Sequence, residues 1–382
     1  MNAEAKQILI SAGGTGGHMF PAEALARDLI DRGYRVALAT DARGKKYEPF
    51  ADGIPVYVLK SSALKGGVFS KVKTALCLGL GVLQARKLID KLKPAVVVGF
   101  GGYPSFPALH VAQKKNIPTI IHEANAVLGR ANVMLAPKAD RIAVAWPNIS
   151  GLDESDSVRT IITGNPVRPD IAALYNKPYP VLEQDGILRI FVMGGSLGAS
   201  VFGEVLPKMV DNLSAAHKAR LKIIQQCRTE NIDEVKKAYK DAGVEAELKT
   251  FFDDVPEQLE KCHLFIGRSG ASTVSEVATA GRPAIFVPYP HHKDQQQKRN
   301  ADAIFDVGGA WVMTQDGFTV EALLARIETF LQSPESLFNA AENARTCGKP
   351  DAARKLGNVV TALASGWDKQ ANKTFDLTQG RN

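Results

Sequence analysis

The sequence contains no Asp-x-Asp triplet, no Gly-x-x-x-x-Gly-Lys-[Ser/Thr] loop, no Cys-x-x-Cys pair and no apolar run long enough to span a bilayer. Without the triplet, the usual ligand set for a divalent cation on a nucleotide diphosphate is missing. The second absence speaks against a P-loop kinase or ATPase. Four cysteines, at 77, 227, 262 and 347, lie too far apart for a paired metal or redox motif and do not suggest a disulfide framework. They read as reduced thiols of a cytoplasmic protein. The most apolar stretch, TALCLGLGVLQA from Thr74 to Ala85, falls well short of the about 20 residues a transmembrane helix needs. MNAEAKQILIS enters its first strand without the basic and apolar regions of a signal peptide, so the chain is expected to stay where it is made. No basic run interleaved with aromatics appears, which disfavours a nucleic-acid partner.

What is present is an ordinary globular composition, 45% hydrophobic and 23% charged, with a net charge of +7 that favours an anionic partner. A chain of 382 residues suits two domains of roughly 150–200 residues. Short β-rich runs (QILIS, RVALAT, AVVVGF, PTIIHE, RIAVAW, then LRIFVMG, LKIIQQC, HLFIG, PAIFVP) alternate with longer helical patterns. This predicts an α/β fold with parallel sheets flanked by helices. Both halves open alike: ILISAGGTGGH and RIFVMGGSLGA each place Gly-Gly-[Ser/Thr]-x-Gly after an apolar strand. Prolines at 166, 169, 178 and 180 mark the connection. The expected division is a domain over 1–165, a Pro-rich linker over 166–187, a second domain over 188–365 and a polar tail over 366–382. The active cleft is expected between the domains.

Glycine at a strand-to-helix turn lets backbone approach a ligand, and the helix start offers N–H groups and a positive dipole end, a seat for phosphate. The first loop is not a dinucleotide fingerprint, because Met19 stands where G-x-G-x-x-G needs its last glycine. Asp41 could be argued as a ribose-binding acid, so an oxidoreductase is weakened without being excluded. In FIGRSGASTVSEVATAG, Thr273 and Glu276 have capping-box spacing, which explains Glu276 about as well as ligand binding does. HHKDQQQKRNA packs amides and bases at an expected helix start, suited to sugar hydroxyls. His122, Glu123 and Asn125 stand just past a buried strand, and His18 at the start of the first helix.

Together GGTGGHMFPAEALA, GGYPSFPALHVA, HEANAVLGRAN, GNPVRPDI, GGSLGA and RSGASTVSEVATAGRPAIFVPYPHHKDQQQKRNA resemble, in order and over almost the whole chain, the MurG family of UDP-N-acetylglucosamine transferases of peptidoglycan synthesis. The resemblance implies a GT-B fold, two Rossmann-like domains facing each other across a deep cleft. It implies transfer of GlcNAc from UDP-GlcNAc to the 4-hydroxyl of MurNAc in lipid I, giving lipid II, with no cofactor. Carried over by motif, Ser196 and its neighbours meet the diphosphate, Arg168 stands near the nucleotide and the backbone at Phe252 reads uracil. Ala271, Ser272, Thr273, Val274, Ser275 and Glu276 line nucleotide and phosphates, with Glu276 on the ribose. Gln296 and Gln297 grip the sugar, while Thr15, Gly16, Gly17, His18 and Asn125 complete the site around sugar and acceptor. Ala124 stands where the family often has Gln, and YPHHKD is one residue longer than usual, so the glutamine that meets the sugar is open by one position.

An inverting transfer needs a base for the acceptor hydroxyl, expected to be His18 or Glu123. Helix starts are expected to meet the charge on departing UDP, so activity should survive EDTA. Lys65, Lys71, Lys73, Arg86, Lys87, Lys91 and Lys93 surround Val68, Val72, Leu76, Val82 and Leu83, a mixture suited either to an anionic bilayer or to a buried helix with a basic edge. On the first reading the protein is peripheral on the cytoplasmic face of the membrane, with cell-wall synthesis proteins as further potential partners. The alternatives are another GT-B transferase acting on a glycolipid, a UDP-GlcNAc 2-epimerase on a similar fold, and a UDP-sugar-binding module without catalysis.

Overall fold

The computed structural model describes residues 5–47, 50–61, 68–195, 198–244, 246–292 and 294–366. They divide into two compact units, one running up to Arg168 and resuming at Asp351, the other Pro169–Pro350.

The first unit is built from β1 (Gln7–Ser11), α1 (Gly16–Asp31), β2 (Arg35–Thr40), β3 (Val56–Val58), α2 (Val68–Leu92), β4 (Val96–Gly99) and α3 (Phe106–Lys114). Then come β5 (Thr119–Glu123), α4 (Arg130–Leu135), β6 (Arg141–Val144) and β7 (Thr160–Ile162). The strands pair in parallel in the order β3-β2-β1-β4-β5-β6-β7. Central strands are covered on both faces, which is why they read as continuous apolar runs and not as alternating ones. Ile8, Ile10, Val96 and Val98 pack with Leu25 and Leu29 of α1, while Leu9, Val97 and Ile121 pack with Leu88 of α2 and Leu109 of α3. Strand order reverses between β1 and β4, and at such a switch point the loops leaving the carboxyl ends part to leave a crevice.

The second unit holds α5 (Pro169–Leu174), β8 (Leu188–Met193), α6 (Ser200–Asp211), α7 (Ala215–Lys218), β9 (Leu221–Gln226), α8 (Ile232–Asp241), β10 (Ala246–Lys249) and α9 (Val255–Lys261). It continues with β11 (Leu264–Gly267), α10 (Ala271–Thr279), β12 (Ala284–Phe286), α11 (Gln296–Phe305), β13 (Ala310–Val312), α12 (Val320–Gln332) and α13 (Glu335–Thr346). Its sheet, also parallel, runs β10-β9-β8-β11-β12-β13, with the reversal between β8 and β11.

Two features differ from the expected division. The last helix, α14 (Ala352–Ser365), belongs to the first unit: Leu356, Val360 and Leu363 enter the core beside Leu25 and Leu29. Each such buried aliphatic side chain contributes roughly 2 kcal/mol. Gly357 permits the approach, since a Cβ there would stand 2.0 Å from Asp28 Oδ2. Arg32 Nη1 donates to Asn358 Oδ1 at 2.7 Å and Lys6 Nζ to the Ala364 carbonyl at 2.8 Å. The segment 166–187 contains no strand, as its prolines require, yet from Pro169 onwards it is a docked part of the second unit. Tyr179 and Leu182 are buried in that unit's core, and the Tyr179 hydroxyl donates to the His263 carbonyl at 2.8 Å. The tail expected over 366–382 lies, beyond Gly366, outside the described residues.

Candidate active site

In the first unit the crevice is floored by glycine. β1 ends at Ser11, Thr15 caps α1 in extended conformation, and His18 falls in the helix's first turn. Its imidazole lies against three glycines. A Cβ on Gly13 would stand 3.0 Å from His18 Nδ1, one on Gly102 3.3 Å from Cε1 and one on Gly101 3.7 Å from Nε2. Gly101 and Gly102, in the loop leaving β4, have φ of 79° and 72°, a region that disfavours side chains. Thr15 Oγ1 and His18 Nδ1 are hydrogen-bonded at 3.1 Å, which fixes the ring and turns Nε2 to the Gly101 side. Burial first, and then the Arg43 guanidinium, push the His18 pKa down to about 4 against the opposing pull of Asp41. The ring is therefore neutral at pH 7.

Gly14 serves a second neighbour, for its Cβ would fall 2.4 Å from Asp41 Oδ1. That carboxylate is committed: Oδ1 accepts from the Arg43 N–H at 3.0 Å, and Oδ2 from Arg43 Nε at 2.9 Å and Nη2 at 2.6 Å. Asp41 so bound is in no position to hold a ribose, which removes the remaining ground for an oxidoreductase. Gly16 gives room to Phe20 and Tyr47, and the Arg168 guanidinium lies 4.9 Å over the Phe20 ring, which sets it beside the first turn of α1.

Glu123, at the end of β5, does not have the surroundings of a general base. Its Oε1 accepts from the Asn125 backbone N–H and from Asn125 Nδ2, both at 3.0 Å. Its Oε2 accepts from the Gly129 N–H at 2.8 Å and from Asn132 Nδ2 at 2.9 Å. Burial pushes the Glu123 pKa up, and these donors, Gly129 first, pull it back. With both oxygens occupied and the residue buried, Glu123 organises the loop that carries Asn125 and the start of α4. These contacts suit a positioning role for Glu123 better than that of the base. The Asn132 amide also donates to the His122 carbonyl at 3.1 Å and lies 3.6 Å from a Cβ built on Gly101, so Glu123, Asn132, Gly101 and His18 are contiguous. His122 is buried, its Nε2 paired with the Gly164 carbonyl at 3.1 Å, and burial lowers its pKa to about 4.

The second unit repeats the device at the ends of β8 and β11. Gly194 and Gly195 follow β8, and a Cβ on Gly194 would come within 2.3 Å of the Ala199 nitrogen. Gly195 and Gly198 have φ of 85° and 68°. Ser196 lies outside the described residues. Gln226 ties this turn to the segment after β10: its Oε1 accepts from the Gly194 N–H at 3.1 Å and its Nε2 donates to the Thr250 carbonyl at 3.2 Å. Beyond Thr250 the Phe252 ring is buried edge-on to Phe191 at 5.3 Å, leaving its backbone as the group able to read a ligand.

Ala271 to Glu276 form the opening of α10, as expected, but no capping box forms. The N-cap is Gly270, and Thr273 lies inside the first turn. Val274 and Ser275 are buried, whereas Ala271, Ser272, Thr273 and Glu276 remain partly accessible. No acid occupies the first turn of α1, α6 or α10, while α8 and α12 carry Asp233, Glu234 and Glu321 there. The positive ends of these three helix starts at the switch points are thus not offset by an acid of their own. Gln296 and Gln297 open α11. Gln297 Oε1 accepts from the Tyr289 N–H at 2.9 Å, and Gln296 Nε2 lies 3.3 Å from His292 Nδ1.

Three residues that the sequence reading did not single out hold these parts in place. Asn132 is one. Asn300 Nδ2 donates to the Ser269 carbonyl at 3.2 Å, joining α11 to the turn before α10. Arg268 donates to the Val287 carbonyl at 3.0 Å and to Gln315 Oε1 at 2.6 Å, between the Phe202 and Tyr289 rings. Their only sequence signal is a polar residue of fixed spacing within a quoted motif. The expected set is thus divided between the units: Thr15, Gly16, Gly17, His18, Glu123, Asn125 and Arg168 in the first, Phe252, Ala271–Glu276, Gln296 and Gln297 in the second.

Residues 8–144 match the glycosyltransferase family 28 N-terminal domain and residues 189–356 the family's C-terminal domain. A relative from Rhodospirillum centenum is 51% identical over 94% of both chains. Its name is UDP-N-acetylglucosamine--N-acetylmuramyl-(pentapeptide) pyrophosphoryl-undecaprenol N-acetylglucosamine transferase. The crystal structure of Acinetobacter baumannii MurG is similar at a TM-score of 0.74 and 29% identity, over 93% of this chain and 99% of that one. A UDP-GlcNAc 2-epimerase from Neisseria meningitidis, at 13% identity and a TM-score of 0.66 over 94% and 99% of the two chains, shares the fold alone. By both of its domains, the chain belongs to glycosyltransferase family 28.

Proposed function

We propose that this glycosyltransferase moves N-acetylglucosamine from UDP-N-acetylglucosamine to the 4-hydroxyl of the muramyl sugar in undecaprenyl-pyrophosphoryl-N-acetylmuramyl-pentapeptide (lipid I), forming lipid II for peptidoglycan. The observation that carries this reading is the neutral, glycine-seated His18 at the carboxyl end of the first sheet. As the acceptor oxygen bonds to the anomeric carbon of the donor, His18 takes the hydroxyl proton, and the bond from that carbon to the UDP oxygen breaks on the opposite face with inversion. The acid-free starts of α6 and α10 receive the diphosphate, and no metal step is invoked. Ser196 belongs to the same diphosphate site in this reading. In this reading Glu276 holds the ribose, Arg168 stands by the nucleotide, and Gln296 or Gln297 holds the sugar. Asn125, fixed by Glu123, meets the reacting sugars in this reading.

Among the described residues no helix is long and apolar enough to cross a membrane. The lipid acceptor is reached instead from the surface. Leu76, Leu80 and Leu83 of α2 are exposed at helical spacing, with exposed Arg86 and Lys87 one turn on, a face suited to an anionic bilayer. Val82, expected in this face, instead packs against the core. Lys65 lies outside the described residues, as do the side chains of Val68, Lys71, Val72 and Lys73. Incubation with radiolabelled UDP-GlcNAc and a lipid I analogue tests the proposal. Equimolar UDP and labelled disaccharide-lipid are expected, and free 2-epimerised sugar with no labelled lipid would refute it.

A further inference from the structure

We infer that Arg43 reads a carboxylate on the peptide arm of the acceptor, an inference that rests on the transferase reading above. Gly13 and Gly14 are consecutive, and the first backs the His18 ring while the second backs the Asp41 carboxylate and the Arg43 backbone. The segment that carries Arg43 is thereby packed beside the turn that seats the base, and the guanidinium charge depresses the imidazole. The guanidinium is also fixed in orientation, because Nε and Nη2 both donate to Oδ2 of Asp41, whose side chain is only 11% exposed. Yet 62% of the Arg43 side chain is exposed, so the rest of its donor fork is open to a ligand.

A surface ion pair of this kind adds little to stability. A planar fork anchored on one edge is, however, well prepared to meet a carboxylate on the other, with little rotamer entropy left to lose. Lys45 is exposed in the same short helical segment, Ala42–Tyr47, which contains no acid to compete. On a muramyl ring the peptide is carried through the ether on O3, adjacent to the reacting O4, whereas the pyrophosphate leaves from C1 across the ring. The arm nearest a cation beside the base is therefore the peptide, and a pentapeptide offers the carboxylate.

The test uses the full chain and two soluble acceptors, a muramyl-pentapeptide pyrophosphoryl lipid analogue with free carboxylates and the same compound with every peptide carboxylate amidated. The wild type is expected to prefer the free acid by about tenfold in kcat/KM, the size of one charge-assisted contact. R43A should abolish that preference through the acceptor KM, with the KM for UDP-GlcNAc unchanged. Taking the ratio of two acceptors within one variant cancels any general effect on the loop. No preference in the wild type, a preference that survives in R43A, or an equal loss on both acceptors overturns the inference; the last outcome points to the pyrophosphate or to loop order. Should R43A fold too poorly to assay, R43K is judged in the same way, because it keeps the charge and loses the fork. Absence of transfer by the wild type to either acceptor would instead overturn the transferase reading itself.

Discussion

Asn132 Nδ2 lies 2.9 Å from Glu123 Oε2 and 3.1 Å from the His122 carbonyl, so one buried amide fastens the end of β5 to the first turn of α4. Glu123 is the hub of that fastening, because four N–H groups converge on its two oxygens. A carboxylate in this position sets geometry.

It follows that Glu123→Gln should behave as a structural lesion. Its amide NH2 would face donors where an oxygen accepted, and the fold should lose roughly 2 kcal/mol. Turnover should fall through misplacement of Asn125, with the pH profile of kcat unmoved. Denaturant unfolding and a pH–rate series check this; loss of the basic limb with unchanged stability would restore Glu123 as the base.

Gly102 combines a φ of 72° with a 3.3 Å approach to His18 Cε1. Gly102→Ala should cost about 1–2 kcal/mol in stability and lower kcat by displacing the ring, while UDP affinity by calorimetry stays the same. Full activity in that variant would show that the glycine seat does not hold the histidine.

The buried His122 makes stability depend on pH. Its pKa is about 4 in the fold and about 6.5 in an unfolded chain, so the unfolded state binds the proton first. The stabilisation is complete above pH 6.5 and is lost as the pH falls towards 4, by roughly 3 kcal/mol for this group alone. His18, partly exposed, adds less in the same direction. In His122→Gln the slope of unfolding free energy between pH 6.5 and 4 should shrink, and an unchanged slope would assign the effect elsewhere.

Much of this architecture could be read from the sequence, for local reasons. Runs such as VVVG and LFIG are apolar on both faces, which only buried parallel strands require, and glycine after β1 and β8 marks the turns. What could not be read depended on partners that the spacing of the motifs does not announce. The Thr273–Glu276 spacing imitates a capping box, but Gly270 already starts the helix three residues earlier. Glu123 looked available because its donors Gly129 and Asn132 come six and nine residues later, after the loop folds back. Asp41 looked like a ribose acid until Arg43 closed on it. The place of α14 rests on Gly357 meeting Asp28, a contact spanning almost the whole chain.

Leu76, Leu80 and Leu83 form the exposed stripe of α2. Replacing all three by Ser should reduce binding to anionic vesicles at least about tenfold, since each removes an apolar group that can insert. Turnover of a water-soluble acceptor should be unaffected. Undiminished vesicle binding would place the membrane contact on another face.

The most direct measurement is the single-turnover rate of His18→Ala with saturating UDP-GlcNAc and a soluble lipid I analogue, beside its calorimetric affinity for UDP. The account predicts a rate at least about a hundredfold below wild type with UDP binding intact. A rate within a few-fold of wild type would contradict it, because the imidazole seated on Gly13, Gly101 and Gly102 would then not be the group that takes the proton.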